Sequence, residues 1–279
     1  MNSPLCIDAL TMLTTEQSTS SIVDATLIQS AEDDLKQVTV HASAKRMLCG
    51  SDPFTMYTLI VSCVATKTWW IIQRRYKQFY AMQKQLRKLQ KQAKAKAALA
   101  ELHTLLAPLF AIAFPKKSLR LDTDAMVAER QEAFNNITTT LMQLRAACVV
   151  ALLRPVINEM LARELTSLVA LVSEFLAVPE RQKDEELRRT TLRLSSPELD
   201  VAASCCKDDD DEMCSICLLT RSRAQTRCVR FAVVDEEESE SVLTLSCGHS
   251  FHESCVAKWL ETNMTCPLCR EPATGGVFH

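Results

Sequence analysis

The C-terminal quarter of this 279-residue chain is dominated by closely spaced cysteines and histidines. Seven of the thirteen cysteines fall between residues 214 and 269, and two histidines lie among them. Two Cys-x2-Cys pairs flank a Cys-Gly-His-x-Phe-His-x-x-Cys block, and such pairs direct two thiolates at one metal ion. A hydrophobic core does not require this order and spacing. The pattern therefore predicts metal binding through eight side chains: Cys214, Cys217, Cys247, His249, His252, Cys255, Cys266 and Cys269.

The rest of the sequence predicts a reducing environment for these thiols. The longest apolar stretches, 102–114 and 146–153, are shorter than the roughly 18 residues of a membrane-spanning helix. The N-terminus has no basic region of the kind that opens a signal peptide. We therefore expect a cytoplasmic protein, in which disulfides are rare. Three further cysteines near the cluster fit no ligand pair and are expected to be free thiols: Cys205, Cys206 and Cys228.

The order and spacing of these ligands resemble those of RING-H2 domains. The resemblance covers residues 214–269 and includes the ending Cys266-Pro267-Leu268-Cys269-Arg270. It predicts a small domain over residues 213–272, followed by a tail at 273–279. The gap between the second and third ligands is long, and its acidic run at 235–240 is expected to form a protruding loop.

The RING-H2 resemblance implies a cross-brace of two zinc ions. The first ion would be held by Cys214, Cys217, His252 and Cys255. The second would be held by Cys247, His249, Cys266 and Cys269. Four protein ligands leave no open coordination position, so zinc-dependent hydrolysis is excluded as the activity.

The same resemblance implies the function of an E3 ubiquitin ligase, which positions an E2 enzyme carrying ubiquitin as a thioester. Three residues match the shallow apolar groove for the E2 enzyme: Ile216, Trp259 and Pro267. We expect Trp259 to lie on a short helix and to share one face with Val256, Leu260 and Met264. Arg270 matches the arginine that contacts both E2 and ubiquitin. Ordinary core packing is the alternative for Ile216 and Trp259, and a non-catalytic scaffold is the alternative for the domain.

A strongly basic region precedes this domain. Thirteen Lys or Arg residues and one acidic residue lie between Lys67 and Arg120, although the whole chain has a net charge of −2. Such asymmetry favours an anionic partner, either a phospholipid surface or nucleic acid. A solvated helix remains an alternative for residues 84–96. We do not expect nucleic-acid binding, because no recognition-helix or RNA-binding motif accompanies the charge.

Three short segments in this region resemble PX (phox homology) domains: residues 74–79 (RRYKQF), 114–119 and 129–134. The resemblance covers about residues 34–160 and implies binding to phosphoinositides, most often phosphatidylinositol 3-phosphate, on endosomal or similar membranes. It implies that Arg75 binds the 3-phosphate and that Tyr76 packs beneath the inositol ring. Lys116 or Lys117 would bind the 1-phosphate, and Arg130 the ring hydroxyls.

These features together predict an α+β protein. Residues 1–33 are expected to form a tail, with an alternative short helix at 21–30. Residues 34–178 should form the PX-like domain, with a three-stranded antiparallel sheet at 38–40, 57–65 and 68–73 and a helical extension. Residues 179–212 should form a charged linker, whose first part at 180–194 could instead extend the preceding helix.

Hydrophobic periodicity predicts where the helices of the PX-like domain lie. A stripe from Tyr76 to Leu89 indicates the first, and Asp122 or Thr123 should cap a later one. Pro155 should start the last. Between them, residues 105–114 are expected to be an extended apolar stretch that either packs in the core or enters the bilayer.

We expect a membrane-recruited RING-type ubiquitin ligase with two zinc ions, an E2 enzyme, ubiquitin and an unknown substrate as partners. The alternative is a PX-type trafficking adaptor with a non-catalytic RING.

Overall fold

The computed structural model describes residues 25–49, 52–118, 122–154, 157–195, 213–219 and 241–278. Most of the predicted tail and the predicted acidic loop at 235–240 lie outside these residues. The described part is a mixed helix and sheet structure, as expected. Its first element is helix α1 (Ala25–Leu35), in which Ala31 and Leu35 are buried. The end of the predicted tail is therefore a packed helix. The alternative of a helix at 21–30 agrees with it over residues 25–30.

Three long strands form the predicted antiparallel meander: β1 (Val38–Cys49), β2 (Asp52–Cys63) and β3 (Thr68–Arg75). β1 continues nine residues beyond its predicted end. Its small or apolar residues at 38, 40, 42 and 44 pack on the main core. His41 pairs with Ile60 of β2. The sequence HASAKR concealed this alternation, because alanine and lysine are poor strand formers.

Helix α2 (Tyr76–Ala95) follows β3 without a loop. It buries Phe79, Met82, Leu86 and Ala93, so the predicted stripe is confirmed. Its first turn is closed by Gln78, whose side chain accepts a hydrogen bond from the Arg75 backbone N–H at 2.8 Å. A short 3-10 turn (Ala97–Leu99) then leads into helix α3 (Ala100–Ala111).

The predicted extended apolar stretch is in fact mostly helix α3. Pro108 lies inside this helix, three residues before its end, where its missing N–H removes one intrahelical hydrogen bond. Three leucines at helical spacing face the core, and neighbouring apolar residues pack beside them. These positions therefore belong to the core and not to a bilayer-inserting loop: Leu102, Leu105, Leu106, Leu109, Phe110 and Ile112.

Two further helices complete the main core: α4 (Asp124–Leu152) and α5 (Glu159–Phe175). Thr123 caps α4 as predicted, and its hydroxyl accepts a hydrogen bond from the Met126 N–H at 3.3 Å. Asn158 caps α5, because its side-chain oxygen accepts hydrogen bonds from the Met160 and Leu161 N–H groups. The predicted start at Pro155 lies outside the described residues. Phe134 of α4 stacks on Phe79 of α2 at the centre of the cluster.

The first half of the predicted linker is a separate, packed helix, α6 (Glu180–Ser195). Ala177, with φ 49°, turns the chain between α5 and α6, so α6 is not an extension of α5. Residues four apart on α6 are buried, namely Gln182, Glu186 and Thr190. These side chains are polar, and a polar stripe does not register as an apolar face in the sequence.

A chain of buried polar contacts holds α6 in place. Glu186 forms an ion pair with Arg145 of α4, which also donates to the Ser173 hydroxyl at 2.7 Å. Gln182 donates to Glu186 at 2.7 Å and accepts hydrogen bonds from Thr66 and Thr68 at the start of β3. Buried polar groups are stable only when paired in this way.

The C-terminal part adds strands β4 (Val242–Leu245), β5 (Ser250–His252) and β6 (Gly275–Phe278), and helix α7 (Glu253–Thr262). The predicted tail at 273–279 is thus mainly a strand. β6 pairs with β3 on one side and β4 on the other, giving a six-stranded sheet in the order β1-β2-β3-β6-β4-β5. Among the described residues, no helix is long and apolar enough to span a membrane.

Candidate metal centres

Each Cys-x2-Cys pair forms a tight turn that is called a knuckle here, the first at 214–217 and the second at 266–269. The first metal-binding group combines the first knuckle with the start of α7. Cys214 and Cys217 come from the knuckle, His252 ends β5, and Cys255 lies in the first turn of the helix. Their four donor atoms all lie within 4.8 Å of one another. Cys217 Sγ and His252 Nδ1 are 3.3 Å apart. Cys214 and His252 are buried, so the site is closed on its inner side.

The second group joins the turn after β4 to the second knuckle, and its donor atoms also lie within 4.8 Å of one another. His249 Nδ1 lies 3.3 Å from Cys247 Sγ and 3.6 Å from Cys266 Sγ. Gly248, with φ +87°, makes the turn that brings the first two ligands together. The fourth donor is Cys269. The structure therefore gathers the predicted ligands into the two predicted sets.

The two knuckles share one backbone design. In each, the residue after the second cysteine, Leu218 or Arg270, has φ 62°. Its N–H donates to the carbonyl of the first cysteine, at 2.7 Å and 3.0 Å respectively. The first cysteine in turn donates to the carbonyl two residues beyond the second cysteine, at 2.8 Å in both cases. This repeat presents both pairs of sulfurs in the same way.

The donor distances fit tetrahedral zinc. Zn–S and Zn–N bonds of about 2.3 Å and 2.0–2.1 Å at a tetrahedral angle place sulfur and nitrogen about 3.5 Å apart. The observed separations of 3.3 to 3.6 Å agree. Three cysteines and one histidine per group form a donor set typical of structural zinc, so the two groups are compatible with two zinc ions.

Crowding of the thiols shows why a cation is needed. Burial opposes ionisation of Cys214, but backbone hydrogen bonds around the knuckle lower its pKa to about 7. Burial and the neighbouring Cys217 raise the pKa of Cys255 to about 11, and burial together with Cys269 and Cys266 raises the pKa of Cys247 to about 11. Each group thus has thiols that resist ionising together, and a divalent ion removes that repulsion.

Comparisons with known proteins agree with this geometry. Residues 202–270 match the family described as the RING-H2 zinc finger domain. The C-terminal segment is a RING-H2 zinc finger. No solved structure matches the chain.

Several curated proteins are similar to part of the chain. "Probable E3 ubiquitin-protein ligase XERICO" of Arabidopsis thaliana is 39% identical over 90 residues, which are 32% of this chain and 43% of that protein. "RING-box protein 2" of Homo sapiens is 33% identical over 61 residues, 22% of this chain and 54% of that protein. "E3 ubiquitin-protein ligase RNF126" of Mus musculus is 53% identical over 36 residues, 13% of this chain and 12% of that protein. The chain thus spans about half the length of the first two relatives.

The predicted groove residues lie on an exposed surface of the RING-H2 finger. Ile216 and Trp259 each retain 36% exposure, and Arg270 is exposed directly after the last ligand. Pro267, inside the second knuckle, is half-buried. The Trp259 indole is held by a hydrogen bond from Nε1 to the Thr265 carbonyl at 2.8 Å. Ile216 and Trp259 are partly exposed and lie outside the buried cluster of the finger.

The face predicted for α7 was partly wrong. Val256 and Leu260 are fully buried, whereas Trp259 lies at the exposed border of the helix and Met264 lies beyond its end. Additional exposed apolar side chains flank the knuckles and were missed, because nothing in their spacing separates them from core positions. They are Met213, Leu218, Leu219 and Leu268.

Two of the five residues predicted to bind lipid, Tyr76 and Arg130, are in direct contact. The Tyr76 hydroxyl donates to the Pro115 carbonyl at 2.9 Å. The Arg130 guanidinium lies over the Tyr76 ring, 4.3 Å from its centroid, and donates to the carbonyl of Lys116 at 3.4 Å. The preceding residue, Arg75, stacks on Phe54. The contacts thus join α2, α4 and the backbone of the segment after α3, whereas the Arg75 side chain contacts β2.

Asp122 contacts this cluster, and the sequence did not predict its ion pair with Arg130. Arg130 is only 3% exposed and forms an ion pair with Asp122 at 2.5 Å. Burial opposes charge on Arg130, but the neighbouring Tyr57 hydroxyl and the hydrogen bond to Asp122 outweigh it and raise the pKa of the guanidinium. Arg130 is therefore a charged but partnered group. Arg75 and the two exposed lysines at 116 and 117 are the accessible cations.

Proposed function

We propose that this chain is a RING-type E3 ubiquitin ligase. The observation that carries the proposal is the pairing of two closed Cys3His groups with an exposed apolar surface at both knuckles and α7. Two of the similar proteins are named as E3 ubiquitin-protein ligases, one of them as probable, which supports the same activity. An E2 enzyme and ubiquitin are the partners this activity requires.

The closed metal groups determine what kind of catalysis is available. When bound, zinc would supply structure, since all four positions are taken by protein ligands. The chain would form no covalent intermediate. The groove of Ile216, Trp259 and Pro267 would bind the E2 enzyme, and Arg270 would donate hydrogen bonds that hold the ubiquitin thioester in its reactive orientation. Orientation alone can accelerate transfer by several orders of magnitude.

Single-turnover discharge of ubiquitin from a panel of charged E2 enzymes to free lysine tests this function with the full chain. We expect discharge by the wild-type chain, a loss of at least about tenfold in Arg270→Ala, and weaker E2 binding in Ile216→Ala. Lys258→Ala is the matched control, because it removes an exposed cation of α7 outside the groove. All variants should retain zinc. Equal rates with and without the chain, across the panel, would favour the non-catalytic scaffold.

We propose phosphoinositide binding as a second function of the N-terminal region, with PX-type recruitment to endosomal or similar membranes. The supporting observation is the contact of Tyr76 with Arg130 and with the backbone at Pro115, next to the exposed Arg75, Lys116 and Lys117 in the chain. Guanidinium groups bind phosphate oxygens in pairs, which suits Arg75. The alternative of a trafficking adaptor shares this site and differs only in lacking ligase activity.

A basic surface on α2 would strengthen such recruitment. Lysines and an arginine along this helix are exposed, and each such residue adds about 1 kcal/mol near an anionic membrane. They are Lys77, Lys84, Arg87, Lys88, Lys91 and Lys94. This attraction is general, whereas the cluster around Tyr76 would select the headgroup.

Liposome co-sedimentation across a salt series separates the two contributions. Arg75→Ala should abolish the preference for phosphoinositide liposomes and leave salt-sensitive binding to other anionic membranes. Charge reversal at Lys84, Lys88 and Lys91 should lower affinity without changing the preferred headgroup. Arg87→Ala is the matched control for Arg75→Ala. An unchanged preference in Arg75→Ala would exclude the lipid site.

A further inference from the structure

The RING-H2 finger and the N-terminal meander share one apolar cluster. Ile60 of β2 and Trp69 of β3 are buried together with Leu243, Leu245, Phe251, Val256 and Leu260 of the finger. Trp69 is 1% exposed, and its Nε1 donates to the Thr244 carbonyl at 3.2 Å. The finger therefore takes two large side chains of its core from outside its own segment.

Strand β6 adds a backbone connection at the same place. Trp70 and Trp69 of β3 pair with Gly275 and Gly276, and the Ile71 N–H donates to the Thr274 carbonyl at 3.1 Å. On its other side β6 pairs with β4. Without β6, both β3 and β4 would present an unpaired edge.

The two glycines of β6 are required by the closeness of this fit. A Cβ atom at position 276 would lie 1.9 Å from the Thr244 carbonyl oxygen and 3.0 Å from Trp69 Nε1. A Cβ atom at position 275 would lie 2.5 Å from the Trp69 carbonyl oxygen. All of these neighbours but one are backbone atoms, so the contact cannot be relieved by turning a side chain.

Side chains of β1 hold α7 at both of its ends. His41 forms an ion pair with Glu253 in the first turn, at 3.7 Å. Lys45 Nζ donates to the Thr262 carbonyl at the last residue of the helix, at 3.5 Å. The meander thus contacts α7 along its buried face, through Ile60 and Trp69, and at both of its ends. Trp259 lies at the exposed border of the helix.

We propose that the N-terminal sheet is a working part of the ligase, and that Trp69 and β6 act as positioning elements that hold α7 and the E2 groove in a productive orientation. The inference rests on the proposed ligase function. The inference goes beyond that function, because it assigns a role to residues that contact neither zinc nor the E2 enzyme. A groove carried on a loosened helix samples unproductive orientations, and misplacement of about 1 Å can cost a hundredfold in rate.

Two variants of the full chain test the proposal. Gly276→Ala prevents β6 from seating beside Thr244 and leaves the meander itself unaltered. Trp69→Phe removes the bond to Thr244 but keeps most of the packing. Trp70→Phe is the matched control, because Trp70 donates an equivalent bond, at 2.9 Å, to Leu176 on the N-terminal side.

Three quantities are measured for each chain: bound zinc, amide exchange in α7 and β4, and the ligase concentration that gives half-maximal E2 discharge. We expect Gly276→Ala to keep two zinc ions, to exchange faster in α7, and to require about tenfold more ligase. Trp69→Phe should show a smaller change in the same direction, and Trp70→Phe none.

The measurements distinguish failure of the positioning role from failure of the ligase proposal. If the wild-type chain discharges no E2 enzyme, the ligase function is wrong and so is the positioning role, although exchange still reports the docking. If the wild-type chain is active and Gly276→Ala matches it, the positioning role is overturned. Loss of zinc in Gly276→Ala would also overturn it, because the sheet would then act on the metal groups.

Discussion

The RING-H2 finger and the N-terminal region are held together by different means. In the finger, eight donor atoms of fixed chemical type meet in two groups, and a small apolar cluster lies between them. In the N-terminal region, one large apolar cluster is joined by buried polar contacts such as Arg145–Glu186. Metal ligands must have one identity and one spacing, whereas a core accepts many sequences of the right pattern. The first region therefore carries a specific signature in its sequence, whereas the core of the second is marked only by its hydrophobic pattern.

Chelation of zinc should have the largest effect and should separate the two regions. Zinc binding supplies about 10–16 kcal/mol to small domains of this kind, so residues 213–219 and 241–274 should unfold. The main apolar cluster contains no residue beyond Val178, so residues 25–195 should stay folded. Amide exchange with and without chelator checks this, and re-addition of zinc is the control. Unfolding of both regions together would contradict the view that they are stabilised by different means.

Removal of the buried carboxylate on α6 should have the next largest effect. Glu186→Gln leaves Arg145 without its ionised partner, and breaking a buried pair costs about 3–5 kcal/mol in the free energy of unfolding. Glu185→Gln on the same helix is the matched control. Its pairs with Arg188 and Arg189 are solvent-accessible, so its loss should cost about 0–1 kcal/mol. Urea unfolding measures both, and similar costs would mean that α6 is not packed as described.

The cap of α4 tests a smaller, local contribution to the N-terminal region. Thr123→Ala removes the hydroxyl that accepts from the Met126 N–H, and such a loss costs about 1 kcal/mol. Thr140→Ala lies within the same helix and should be close to neutral, because alanine is the better helix former. Thermal unfolding distinguishes the two variants. A neutral Thr123→Ala would place the start of α4 elsewhere.

The contact between His41 and Glu253 should give the smallest effect and links the two regions. The hydrogen bond that His41 donates to the Glu253 carboxylate raises the pKa of His41, and the charges of Glu253 and Glu261 add to this against the effect of burial. The stabilisation is fully present below the ordinary histidine pKa and is lost as pH rises through the raised value. His41 is largely exposed, so the loss should be under about 1 kcal/mol.

The charge on Glu253 sets the acidic limit of that contact. The hydrogen bond that Glu253 accepts from His41 lowers the pKa of Glu253. The stabilisation from this contact is therefore lost as pH falls through the lowered value. The protection of the α7 amides, corrected for the intrinsic pH dependence of exchange, should therefore fall from pH 6 to pH 8 in the wild-type chain and stay constant in His41→Gln. Equal pH dependence in both would exclude the contact.

The features predicted from the sequence were those with strong local signals. The knuckles, the β1–β3 meander, the stripe of α2 and the cap at Thr123 were all identified correctly. Each depends on residues close together in the chain: ligand spacing, alternation, helical period or a capping hydroxyl.

The errors occurred where the signal depends on distant partners. Residues 105–114 were expected to be extended, yet buried leucines on either side of Pro108 keep most of this segment inside α3. Residues 180–195 appeared solvated, because the buried residues of this helix are polar and have their partners on α4 and β3. The predicted tail at 273–279 became β6 because Gly275 and Gly276 fit between two strands far away in sequence.

Zinc stoichiometry tests the central claim most directly. The account predicts two zinc ions per chain, measured by elemental analysis of the purified protein, and about one in a variant with Cys266 and Cys269 both replaced by alanine, since only the second group is then lost. One ion or none in the wild-type chain would contradict the assignment of the two groups and, with it, the proposed basis of ligase activity.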